Sequence, residues 1–177
     1  MSEGLRSILT GTAGLSVAAV IALLLTLARG GVDADPTRLR KAVRVTVVAI
    51  LFQSAHFAEE LATGFHERFP VLLGLAPWSL RFFVPFNLIW LALWTLSLFG
   101  LAARWRAALF PLWFLGLGCV ANGIAHPLFS LRTGGYFPGL VTSPVVGIVG
   151  VFLLRRLSRV TDASSGSQAT LKERPTG

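Results

Sequence analysis

Apolar residues fall in five long blocks, at 9–28, 43–63, 82–103, 107–129 and 137–154. A helix needs about 20 apolar residues to cross a hydrocarbon core of about 30 Å, so each block reads as a span. The second block turns polar in its last turns, and the fifth is short and contains Pro144. Between blocks two and three, 71–80 (VLLGLAPWSL) is too short to span and predicts an interfacial or re-entrant piece, with Trp78 as a headgroup-level anchor. The pattern predicts an all-α integral membrane bundle of five transmembrane helices over 9–157. A short outer N-terminus (1–8) precedes it, and a Ser-, Thr- and Gly-rich stretch (158–177) reads as a disordered cytoplasmic tail.

The first block is longer than the roughly 7–15 residues of a signal-peptide core. Its N-terminal flank holds Glu3 and Arg6, whereas Arg29, Arg38, Arg40, Lys41 and Arg44 follow it, the reverse of a cleaved signal. It reads as a retained helix. With the N-terminus outside, twelve Lys and Arg residues fall inside (Arg29 to Arg44, Arg104, Arg106, Arg155, Arg156, Arg159, Lys172, Arg174) and only Arg6, Arg68, Arg81 and Arg132 outside. This asymmetry predicts N-outside, C-inside.

Composition sharpens the picture. Only 14% of residues are charged and mean hydropathy is +0.69, against about 25% charged in soluble domains. The net charge of +8 does not make a nucleic-acid surface, because the basic residues flank apolar blocks and form no patch interleaved with aromatics. The lone Cys119 excludes an intrachain disulfide and a CxxC pair. The expected setting is a membrane, with lipids as neighbours, no nucleic acid, and an oligomer left open.

The second block ends in the candidate chemistry. His56, Glu59 and Glu60 stand at i, i+3 and i+4 and share a helix face, with Gln53 one turn earlier. Two carboxylates at a helix C-terminus oppose the macrodipole and near hydrocarbon demand a positive partner. No Lys or Arg lies in the hydrophobic interior of the spans, which leaves a histidine, shared protons or a metal. The fourth block carries Asn122 and His126 at i, i+4, with Cys119 before them and Pro127 after. Under the inferred topology these clusters share a depth with Asn87, Arg132, Thr133, Tyr136 and Thr142, so four segments converge on one pocket beneath the outer surface. His66 reads as a surface loop residue, Cys119 as packing, and Trp90 and Trp94 as lipid-facing or packing. Arg132 and Tyr136 read as interface anchors or a lid.

The motif His56-x-x-Glu59-Glu60 near the end of a membrane helix resembles the signature of the bacterial HXXEE-motif membrane proteins. Asn122…His126 and Thr133-Gly134-Gly135-Tyr136-Phe137-Pro138-Gly139 are similar to that family's later pattern. The resemblance covers roughly 42–157 and implies a polar intramembrane site. The family is largely of unknown function, so it implies little about chemistry.

Three function classes follow. The first is an intramembrane enzyme acting on a lipid-like or other apolar substrate. In its metal form His56, Glu60, His126 and, as a further candidate, Glu59 hold a divalent zinc or iron. Two His and one carboxylate is a ligand set of both. Glu59, Glu60, Asn122 and Tyr136 are the candidate catalytic groups, a spare carboxylate acting as general base on bound water. Its metal-free form is an acid–base isomerase or cyclase. The second class is a proton- or ion-coupled transporter, disfavoured because no polar path continues into the inner halves of the spans. The third is a non-catalytic accessory protein. No Walker loop, dinucleotide fingerprint, Ser-His-Asp set or HExxH helix is present, and the enzyme reading is favoured.

Overall fold

A computed structural model describes residues 2–29, 31–32 and 35–161. The stretch from 162 onward, where most of the expected tail falls, lies outside them. Among the described residues the chain is all-helical: α1 (Glu3–Gly11), α2 (Ala13–Ala28), α3 (Pro36–Ala62), α4 (Phe65–Leu72), α5 (Leu80–Ala102), a 3-10 turn (Arg106–Ala108), α6 (Leu109–Thr133) and α7 (Ser143–Val160). Three helical segments are long and apolar enough to cross a membrane, Pro36–Ala62, Leu80–Ala102 and Arg106–Thr133. The bent pair α1–α2 makes a fourth if it counts as one span.

Local chemistry sets the ends. The Asp35 carboxylate caps α3 by accepting from the Thr37 and Arg38 N–H groups at 2.7 and 3.4 Å, and Pro36 fills the first helical position, where no N–H is needed. The α3 helix stops before Gly64, whose φ of +79° turns the chain into α4. Gly134, at φ +68°, ends α6 in the same left-handed way.

Two boundaries differ from the sequence pattern. The first block is two helices bent by 46° rather than one rod. The α1 helix is held against the 73–79 segment by the Ser7 hydroxyl, which donates to the Ala76 carbonyl at 2.5 Å. The last helix starts at Ser143, not Phe137. Phe137 (1% exposed), Pro138 and Gly139 are buried in a turn, so their apolar character reflects packing under the protein rather than a span. The α7 helix then runs on through Arg155, Arg156 and Arg159 to Val160.

Apolar residues separate into an outward-facing set and an enclosed core. Leu51, Leu96, Phe99 and Ile148 point outward at 60–67% exposure, while Trp113, Leu101, Leu112 and Leu153 are enclosed. The α6 and α7 backbones pack closely, so that a Cβ on Gly123 would lie 2.6 Å from the Gly147 Cα, the small-residue packing that lets membrane helices approach closely. Basic residues collect at one end: the Arg38 guanidinium donates to the Arg159 carbonyl, Arg29 to Ser158, and Arg106 to Thr26 and Leu27. The polar cluster occupies the other.

Candidate metal centre

Three side chains meet at the C-terminal end of α3. His56 and Glu60 stand one turn apart on it, and α6 contributes His126 from across the interface. All three are buried, with His56 at 0%, His126 at 1% and Glu60 at 6% exposure. The His56 and His126 Nε2 atoms lie 3.5 and 3.3 Å from the same Glu60 oxygen, Oε1. The imidazoles pack edge to face, 4.7 Å between centroids. One ligand atom from each residue falls within 4.8 Å of the others, so the group could hold a metal ion.

The hydrogen bonds behind the rings assign the protons. His126 Nδ1 faces the Pro138 carbonyl oxygen at 2.5 Å. A carbonyl only accepts, so Nδ1 carries the hydrogen. His56 Nδ1 lies 2.6 Å from the Thr142 hydroxyl. That hydroxyl gives its one proton to the Glu59 carboxylate, Oγ1 to Oε2 at 2.6 Å, so it accepts from His56. In their neutral form both imidazoles therefore turn bare Nε2 lone pairs toward a carboxylate oxygen, and His56 Nε2 has no hydrogen-bond partner. Three acceptors converging in a buried volume repel one another until a cation, either a metal ion or added protons, sits among them. The anchored Nδ1–H groups are the outer-shell arrangement that orients histidine ligands.

Glu59, expected as a catalytic carboxylate or further ligand, lies outside this group. It faces the 136–142 turn and accepts four hydrogen bonds: from the Tyr136 hydroxyl (2.7 Å), the Val141 N–H (3.0 Å), the Thr142 N–H (2.9 Å) and the Thr142 hydroxyl. Its geometry is that of an anchor. It holds the turn that presents Pro138 and Thr142 to the two histidines. Tyr136 touches Glu59 rather than the three-residue group, and desolvation, followed by the hydrogen bond to Glu59, raises the phenol's pKa and keeps it a donor.

The turn lies directly on the rings. Gly139 has φ +88°, and a Cβ there would meet His126 Cε1, His126 Nδ1 at 2.5 Å and His56 Cε1 at 2.8 Å. Arg68 steadies the turn. Its guanidinium donates to the Tyr136 carbonyl at 3.1 Å and covers the Phe137 ring at 5.3 Å. Arg132 and Thr133 are exposed, and the Thr133 hydroxyl bonds back to Phe129.

On its other side the group meets a cavity of about 450 Å³. Glu60 and His126 line it, with the amides of Gln53, Asn87 and Asn122 and an aromatic wall from α5. Asn87 donates to the Phe83 carbonyl at 2.9 Å. Cys119 packs at 1% exposure, its thiol 3.5 Å from the Gln53 oxygen. Trp90 and Trp94, expected against lipid or as packing, pack on Phe114 and also line the cavity. Two other expectations change. His66 is buried on α4 and stacks on Phe83 rather than sitting in a surface loop. Trp78, expected as a headgroup anchor, is 8% exposed among Phe65, Phe69, Phe82 and Phe83.

Pro138, Gly139 and Arg68 were missed as functional positions, and Thr142 was placed at the pocket without its role. A backbone carbonyl carries no sequence signal, and the 133–139 pattern marked its segment without its role. The Pro138-Gly139 pair, a turn signature inside an apolar block, was the one available clue. No family model, no curated protein and no solved structure matches this chain.

Proposed function

We propose that this chain is a metal-dependent intramembrane enzyme acting on a lipid-like substrate, with His56, Glu60 and His126 as protein ligands to a zinc or iron ion. The observation that carries this is the convergence of two bare Nε2 atoms and a carboxylate oxygen, each histidine pinned from behind. Ligand atoms about a tetrahedral zinc lie about 3.3 Å apart, given bonds of about 2.0–2.1 Å, close to the 3.3 and 3.5 Å separations found. Structural zinc sites close with four protein ligands, whereas three leave a position for water or substrate. Here Glu60 and His126 also line the cavity, which puts that position within a substrate's reach. The metal would polarise a substrate oxygen or lower the pKa of bound water. Asn122, on the cavity wall, would hold the reacting oxygen in place. Glu59, Thr142 and Tyr136 are positioning residues.

Elemental analysis of protein purified in mild detergent without chelators tests this. Near-stoichiometric zinc or iron in the wild type, falling at least tenfold in both His56→Ala and His126→Ala, is the expected result. Metal-free, well-folded wild type would leave the three acceptors to shared protons and sink the metal reading. Zinc would direct assays to lipid hydrolysis, and iron to oxidation.

The same reading takes the protein as a five-span protein of a bacterial cytoplasmic membrane, N-terminus outside, α7 as the fifth span and the metal centre in the outer leaflet. The segregation of Arg29, Arg38, Arg106 and Arg159 to the end opposite the centre supports this orientation. In a Cys119→Ala background, a membrane-impermeant maleimide should label Gly135→Cys in intact cells and Thr37→Cys only after permeabilisation. The opposite order would invert the topology.

A further inference from the structure

We infer that the cavity takes a single hydrocarbon chain of an amphipathic lipid, its oxygen-bearing head at the metal centre and its tail along α6. This rests on the functional reading above and names the substrate class for that site: a lipid with one acyl or prenyl chain.

Shape is the first argument. The lining follows α6 for about 22 Å, from Phe114 to Phe129 at about 1.5 Å per residue, and the bore along it holds about 450 Å³. A cavity of that length and volume takes one extended hydrocarbon chain. From His126 inward to Phe114 the path is about 18 Å, close to the roughly 15 Å of one leaflet of a 30 Å hydrocarbon core. A tail lying there keeps the length it has in the bilayer.

Polarity is graded along this path. Glu60, His126 and Asn122 stand toward one end, and Trp94, Phe114, Leu115 and Ala18 close the other. The walls also imply a route. The α2 helix packs on α6, and α5 packs on α3 and α6. The cavity lies between residues of α1–α2 and α5, so a lipid would enter sideways between these two walls.

Gly118 supplies an independent sign. It sits in the middle of α6, where glycine weakens a helix. A Cβ there would meet nothing within 4 Å, and the residue lines the cavity. No close helix packing accounts for it. What its missing side chain preserves is the bore.

Photocrosslinking tests the inference. Detergent-solubilised full-length protein is irradiated with a photoactivatable monoacylglycerol or a photoactivatable sterol, labelled peptides are mapped, and metal is measured on the same samples. The acyl probe should label α5 and α6 around Trp94 and Phe114, at least fivefold above the sterol. Gly118→Phe should reduce that labelling at least fivefold with metal unchanged, while Gly118→Ala keeps it. Gly14→Leu, on the opposite wall and also in open space, gives the same test if Gly118→Phe does not fold. Equal or stronger sterol labelling, or acyl labelling unaffected by the blocking variants, overturns the inference. Metal-free wild type with blockable acyl labelling would sink the metal reading and leave the chain-binding inference standing.

Discussion

Glu60→Gln should move metal binding and apo-protein stability in opposite directions. A structural metal site is worth about 10–16 kcal/mol, so removing one of three ligands should cost roughly 3–5 kcal/mol, about 10²–10⁴ in Kd. In the metal-free protein the same change relieves a conflict. Glu60 Oε1 faces two bare Nε2 atoms at 3.5 and 3.3 Å, and a glutamine NH₂ at that place donates to them. Gaining a hydrogen bond and losing a buried charge should hold or raise apo stability, by about 1 kcal/mol. Metal titration and thermal unfolding with and without chelator read the two effects. A residue that only packed would lose stability in both states, and that result would remove Glu60 from the ligand set.

Gly139→Ala should be the most damaging single-methyl change in the 134–142 turn. It adds a left-handed backbone cost of about 1–2 kcal/mol. Its Cβ also enters the His126 and His56 rings, an overpacking term of about 1–3 kcal/mol. Together these lower the midpoint of unfolding by on the order of 10 °C and tilt both histidines, so metal content should fall with stability. Gly134→Ala is the control: it has φ +68° but open space around its Cβ, so it carries the backbone cost alone. Equal effects at the two positions would mean that the turn does not brace the histidines.

The roles of Glu59 and Glu60 show where sequence reasoning reached its limit. Relative to His56 they stand at i+3 and i+4, on either side of its direction, and both are equally compatible with one helix face. Which of them joins the histidines is decided by what packs there. The 136–142 turn offers Glu59 four donors, whereas α6 brings His126 to Glu60. The fifth block shows the same limit. Hydropathy reports that a residue avoids water, and Phe137 avoids it under the protein rather than in lipid.

The sequence by itself determined that several helices are long and apolar enough to cross a membrane, because the length and hydropathy of a block are local properties of the chain. It also determined that His56 and Glu60 share a helix face, since their spacing of four is a local property of the α-helix, and that His126 and Asn122 form a second such pair. Tertiary structure alone decided that His126 closes on Glu60, that the Pro138 carbonyl and Thr142 place a hydrogen on Nδ1 of both histidines, and that a cavity meets the centre. Those features depend on contacts between residues far apart in the chain, some made by backbone atoms common to every residue, and no local pattern of side chains encodes them.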